Sequence, residues 1–335
     1  MFTAEMTTVK SYCNVLAIQK GLDPAGTAGH FEDAVVIETP LPWKRNTYSE
    51  AGTLPQEMID LLNLWLERYR AGEPYNHRSL LVAPDKQYSQ PGFRRVMYYT
   101  RRPGAFAHFD KIEYCVPEKE LGALLWSLFQ KRDELPRFEP YRTPQADAIR
   151  DVLVCTHGTI DAACAKFGYP LYNDLRNKHA SDNLRVWRVS HFGGHVFAPT
   201  MMDMPIGHYW AYVEEDQAAQ IVQRGGDITA LRGHYRGWAG LEEGFLQAIE
   251  GEIWRCEGWR WLDYLKSGEI IAQDPDEEKP LWADVRITFA SPDGLVSGAY
   301  EAHVEVQSHI ETIVTTGETY LHPYPQYHVS RLHLV

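Results

Sequence analysis

Cysteine is scarce in this chain. Five occur in 335 residues, at positions 13, 115, 155, 164 and 256, too few and too scattered for a disulfide scaffold. A reducing, cytoplasmic setting is expected, where thiolates stay free. No Cys-x-x-Cys pair is present, which argues against thiol–disulfide exchange. Long apolar runs are missing too, so no membrane-spanning helix is expected. The opening MFTAEMTTVKSYC lacks the basic and apolar regions of a secretory signal. Basic residues are outnumbered: 33 Lys and Arg against 45 Asp and Glu leave a formal net charge of −12. Nucleic-acid binding, which favours a basic face, is therefore not expected. An acidic surface suits docking on basic partners. No GxGxxG or Walker loop is there to hold a nucleotide or flavin.

Hydrophobic residues make up 44% of the chain, enough for a sizeable core, and the length fits two domains or lobes. Three regions can be read. In the first, DAVVIETPLPW predicts a buried strand ended by prolines. PQEMIDLLNLWLERYRAG predicts a helix, with Met58, Leu61, Leu62, Trp65, Leu66 and Tyr69 at helical spacing, Pro55 opening it and Gly72 closing it. Strands are expected over 79–83, 93–99 and 109–115, then a helix after Pro117. The second region repeats the order. IRDVLVC is a strand, a helix runs from Asp161 or Ala162 to about Lys178, NLRVWRVS is a strand ending at His191, HYWAYV another, and EEDQAAQIVQR a closing helix. A parallel strand pair, an antiparallel extension and a helix form the thioredoxin-like order.

In the third region, WAGLEEGFLQAIEGEIWRCEGWRWLDYL reads as one long helix and DVRITFASPDGLVSGAYEAHVEV as a hairpin turning at Pro292-Asp293-Gly294. YHVSRLHLV adds a final strand. The expected architecture is thus α/β in three parts. A thioredoxin-like lobe without metal occupies 1–140, and a second such lobe over 141–235 carries the ligands. A C-terminal long helix and antiparallel β extension fill 236–335.

The chemistry concentrates in VCTHGTIDAACAKFG and SHFGGH. Cys155 leaves the end of a strand, and Cys164 lies in the first turn of the next helix. His191 ends the neighbouring strand. Gly193 and Gly194 let the chain turn tightly and approach a bulky centre, and their N–H groups are placed to bond sulfide. His195 then points back. Structural zinc favours cysteines two to four residues apart. The longer gap here suits a two-iron cluster, and two cysteines with two histidines is the ligand count of a Rieske centre. Spacing alone leaves a zinc staple, with no redox role, as the alternative.

These residues resemble the sucrase/ferredoxin-like family, a branch of thioredoxin-like ferredoxins. The resemblance is carried by Cys155-Thr-His-Gly, Asp161, Cys164-Ala165, Phe167-Gly168, and His191-Phe-Gly-Gly-His195 before Phe197-Ala198-Pro199. Cys13, DPAGTAGHFE at 23–32, PLPW at 40–43 and RGWAGL at 236–241 add to it. It implies a [2Fe–2S] cluster with Cys155 and Cys164 on one iron and His191 and His195 on the other. The role implied is electron transfer or redox sensing with a separate redox partner protein, not an enzyme with its own substrate. No carboxylate pair suited to glycoside hydrolysis stands out. Val196 stands where the family often has arginine, and Ala163 where it often has a second cysteine. The second nitrogen of each imidazole predicts proton uptake coupled to electron uptake.

Other residues carry lesser expectations. His157 is expected to reach the centre as a hydrogen-bonding neighbour, and Asp161 to cap the helix. Cys13, Cys115 and Cys256 are expected to be buried thiols. Arg94, Arg95, Arg101 and Arg102 form either a solvated rim or a patch for an acidic redox partner. The aromatics of GWRWLDYL are expected to pack in a helix.

Overall fold

The structure is a computed structural model that describes residues 11–50, 52–276 and 278–335. The expectation about a secretory signal falls mainly on residues 1–10, outside those described. The fold is mixed α/β, with one large mixed sheet and a second, antiparallel sheet. None of the described helices is long and apolar enough to cross a membrane.

A short helix, α1 (Cys13–Gln19), precedes the first half of the large sheet. That half contains β1 (Asp33–Glu38), α2 (Gln56–Arg70), β2 (His77–Val82), β3 (Phe93–Thr100), β4 (Asp110–Pro117) and α3 (Leu121–Phe129). The second half repeats the order with β5 (Arg150–Cys155), α4 (Ala162–Lys178), β6 (Leu184–Val189), β7 (Met201–Met204), β8 (His208–Trp210) and α5 (Glu215–Gln223). HYWAYV therefore supplies only a three-residue strand, because Tyr212 takes a left-handed φ of 50° soon after it. The strand order is β4-β3-β1-β2-β6-β5-β7-β8, with β9 (Tyr235–Trp238) at the far edge. β1 pairs parallel with β2, and β5 with β6. The halves meet where Val82 of β2 faces Val189 of β6 in antiparallel pairing.

β1 reads as an unbroken apolar run because both of its faces are covered. Val35 and Ile37 pack under α2 and α3, against Met58, Leu61 and Leu124. Ala34 and Val36 point the other way, into a core shared with Val152 and Val186 of the second half. Successive side chains of a strand point to opposite faces.

The large sheet is curled. Lys111 of β4 bonds Asp151 of β5, although four strands lie between them in the sheet order. In a flat sheet that separation would be roughly 24 Å at about 4.8 Å per strand. The curl wraps a buried ionic network. Arg185 Nε donates to Asp151 Oδ1 at 2.8 Å and Arg185 Nη2 to Glu113 Oε2 at 2.5 Å. Tyr99 and Trp187 each donate to Asp151 at 2.8 Å. Burial alone would raise the Asp151 carboxyl, but Lys111 and Arg185 outweigh it and hold it well below the ordinary range.

Removing one member of a buried pair strands the others. Asp151→Asn should therefore cost about 3–5 kcal/mol in urea unfolding at neutral pH. A carboxyl with a lowered folded value contributes its stability above its unfolded value and loses it as pH falls through the folded one. The gap between wild type and variant should thus close in strong acid. A loss below about 1 kcal/mol, the worth of an exposed pair, would show that the network does not hold the halves together.

The C-terminal part departs from expectation. The predicted single long helix is broken: α6 (Gly244–Glu257) stops at Gly258, whose φ is 80°. Glycine adopts that left-handed conformation freely and commonly ends helices. A 3₁₀ turn over Trp259–Asp263 follows, then a strand the sequence did not reveal, β10 (Leu265–Gln273). The hairpin of β11 (Trp282–Ala290) and β12 (Ser297–Ile313) forms as predicted, with Gly294 at φ 71° in its turn. β13 (Leu321–Leu334) closes the order β10-β11-β12-β13. Val285, Ile287, Phe289, Ala302 and Val304 are buried in the main core.

Candidate metal centre

β5 and β6 run parallel with Cys155 opposite Val189, so both chains leave the sheet at one edge. Parallel strands present their sites at that end. Cys155 is the last residue of β5, while β6 stops at Val189, two residues before His191. The loop after β5 ends at Asp161, which caps α4 as expected by accepting from the Ala163 N–H at 2.7 Å. Cys164 sits in the first turn of α4, and both cysteines are buried.

Gly168, one turn further along, sets how closely α4 approaches. A Cβ there would lie 2.0 Å from the Cys155 carbonyl oxygen. Only glycine lets the helix rest on the strand end and bring the two cysteines together.

The structure gathers Cys155, Cys164 and His191, with their donor atoms all within 4.8 Å of one another. His191 Nδ1 lies 4.0 Å from each sulfur. Hydrogen bonding from Cys164, aided by His191, holds Cys155 well below its ordinary value. The bond to Cys155 and burial push Cys164 well above it.

His195 stands outside that triad. Its ring centroid is 5.1 Å from that of His191, at an interplanar angle of 34°. Both of its ring nitrogens are buried and find no hydrogen-bond partner among the described residues. Burial, then the neighbouring His191, lowers its pKa and favours the neutral ring. Leaving a buried polar group unbonded costs about 1–3 kcal/mol; the Val314 backbone lies near the ring and acts to raise its pKa, but less than burial lowers it. Two soft thiols and two imidazoles are a donor set for zinc or for iron–sulfur.

His157 acts through the backbone. Its Nε2 is 3.2 Å from the Lys44 carbonyl, and its Nδ1 accepts the N–H of His191 at 3.2 Å. That arrangement calls for the proton on Nε2, and burial lowers the pKa of the ring. His157 thus ties the ligand loop to the first half of the sheet. Gly193 and Gly194 both have left-handed φ, 97° and 78°. Beyond Gly194, where a Cβ would point, lies the Arg236 guanidinium at 2.7 Å.

A profile of the sucrase/ferredoxin-like family matches residues 24–237. The chain belongs to the sucrase/ferredoxin-like family. No curated protein and no solved structure matches it. In this family member the matched stretch takes in the whole large sheet except the last residue of β9, and omits the second sheet.

Three contributors escaped the sequence reading or were undervalued by it. Thr316, in the turn between β12 and β13 and outside the matched stretch, donates its N–H and its hydroxyl to Asp161, each at 2.7 Å. Its hydroxyl oxygen accepts the N–H of Cys13 at 3.2 Å. The second sheet therefore reaches back to the start of α4. Arg236 had only the RGWAGL match to signal it, and Gly168 only its place in Phe167-Gly168.

Cys13 is fully buried, 3.5 Å through its sulfur from the His195 carbonyl, and burial pushes its thiol up to about 11. The expectation of three buried thiols holds for Cys13 alone. Cys115 is half-buried, and Cys256 is exposed because it falls on the solvent side of the last turn of α6. The four arginines offer no free basic patch. Arg94 pairs with Glu118, Arg95 with Glu113, Arg101 with Glu32 and Arg102 with Asp110.

Proposed function

We propose that this protein is a [2Fe–2S] electron-transfer or redox-sensing protein whose cluster is held by Cys155, Cys164, His191 and His195. The observation that carries the reading is the half-buried His195 ring, whose two buried nitrogens meet no hydrogen-bond partner among the described residues, beside the gathered donors of Cys155, Cys164 and His191. A fourth donor set apart from the other three suits a two-iron centre better than a single ion. When bound, the group would supply reversible one-electron chemistry. The chain's own residues prepare for it: Cys155 offers a thiolate, His157 fixes the His191 backbone, and Asp161 caps the helix that carries Cys164.

In this reading each half of the large sheet is a thioredoxin-like unit, and only the second keeps ligands. The strand order β4-β3-β1-β2, mirrored by β8-β7-β5-β6, supports it. The second imidazole nitrogens would couple proton uptake to the electron. A separate redox partner protein in a reducing, cytoplasmic compartment would deliver or accept electrons, and the protein would have no substrate of its own.

One observation favours a second reading. Among the described residues, Cys155, Cys164 and His191 are the group within reach of a single ion, which is compatible with a structural zinc. Protein purified without oxygen should be red-brown and hold about two irons and two acid-labile sulfides per chain. Colourless protein with about one zinc and no sulfide would replace the cluster by the staple.

A further inference from the structure

Arg236 is almost wholly buried, on β9 at the edge of the large sheet. Its Nη1 donates to the Gly193 carbonyl at 3.1 Å, inside the loop between His191 and His195. Its Nε and Nη2 donate to Thr27, at 3.1 Å to the hydroxyl and 2.6 Å to the carbonyl. The guanidinium lies over the rings of Phe197 and Tyr209. Neutral oxygens and aromatic faces thus surround it, and among the described residues no carboxylate pairs with it.

A second guanidinium lies nearby. Arg78, on β2, is half-buried and has its Nε buried without a partner. Its Nη2 fills the space that a Cβ on Gly29 would occupy, only 2.4 Å from that position, and the Tyr209 hydroxyl lies 3.4 Å from the same point. That hydroxyl is also buried, and Arg78 is the first cationic neighbour acting on it. The chain leaving β6 runs beside β2, with Ser190 bonded to Leu81 in both directions. Two cations therefore lie near each other by the ligand loop, and among the described residues neither is paired with an acid. Elsewhere in this chain a buried cation has one, as Lys111 and Arg185 have Asp151.

A buried charge without a counter-charge is costly, so such a pair calls for negative charge at the site it faces. With two thiolates, two sulfides, two ferric ions and neutral imidazoles the charges of the proposed centre cancel. One electron from an outside one-electron donor then leaves a net negative charge, with no bond made or broken. We infer that Arg236, backed by Arg78, is the fixed counter-charge for that added electron and holds the potential of the centre up. The inference rests on the cluster reading above.

Potentiometric titration of the loaded protein with dye mediators tests it. Arg236→Gln should hold the electron about tenfold less tightly, a midpoint lower by ~59 mV. Arg78 makes no hydrogen bond to the loop, so Arg78→Gln tests charge alone and should lower the midpoint by a smaller step. Arg78→Lys should leave it unchanged. A purely structural role would lower the unfolding temperature without moving the midpoint. Midpoints of Arg78→Gln and Arg236→Gln equal to wild type would overturn the inference while leaving the cluster in place. If Arg236→Gln does not load, Arg78→Gln decides. Wild-type protein without iron and sulfide would instead sink the cluster reading itself.

Discussion

Cys164→Ser should bleach the protein. Iron and acid-labile sulfide should fall from about two each per chain to near zero, and the visible spectrum should go with them. A serine hydroxyl stays protonated near neutral pH and cannot replace a thiolate ligand. The effect extends to folding, because a site absent from the unfolded chain turns binding free energy into stability. Cys164 lies in the first turn of α4, so losing the centre should loosen the helix that covers β5 and β6. Cys155→Ser should behave alike. Cys115→Ser and Cys256→Ser should keep the full spectrum, since neither residue is among the gathered donors. Cys13→Ser should keep it too, because its sulfur contacts a carbonyl of the loop and not the centre. An intact spectrum in Cys164→Ser would rule out the ligand assignment.

Gly168→Ala should cost nearly as much without touching a ligand. Its Cβ would need the space 2.0 Å from the Cys155 carbonyl oxygen and 3.2 Å from the carbonyl carbon. That carbonyl cannot move aside. The strand end is held by the ladder to β6 and by the Cys155 N–H bonded to the Thr200 carbonyl at 3.1 Å. The helix must lift instead, taking Cys164 away from Cys155 and His191 and Leu171 and Leu175 off the core. Overpacking of this kind costs about 1–3 kcal/mol, and loading should drop by more than half. Iron per chain and the urea midpoint measure the two effects separately. Full loading with an unchanged midpoint would show that the close contact between α4 and β5 is not what positions the centre.

Legibility followed the range of the interactions. α2 was visible because its apolar face is a local pattern of one residue in three or four. Three of the candidate donors, Cys155, Cys164 and His191, were visible because each sits within two residues of a strand end or in the first turn of a helix. β10 escaped because it is an edge strand with mostly exposed side chains, which leaves no alternation to detect. The break at Gly258 escaped because the run before and after it is equally apolar, and a single left-handed φ decides where the helix ends.

By itself the sequence determined the order of the elements from β1 to α5, the strand, helix, strands, helix pattern of the two halves and the residues offered as ligands, because burial of local apolar patterns and the placement of cysteine and histidine are written along the chain. Tertiary structure alone decided what surrounds the centre. It curled the sheet so that β4 meets β5, seated Arg236 against a carbonyl 43 positions away, and brought Thr316 onto a helix cap 155 positions away. Those contacts satisfy single donors and acceptors between segments with no shared local pattern. Only the folded chain fixes which of the many polar side chains arrives.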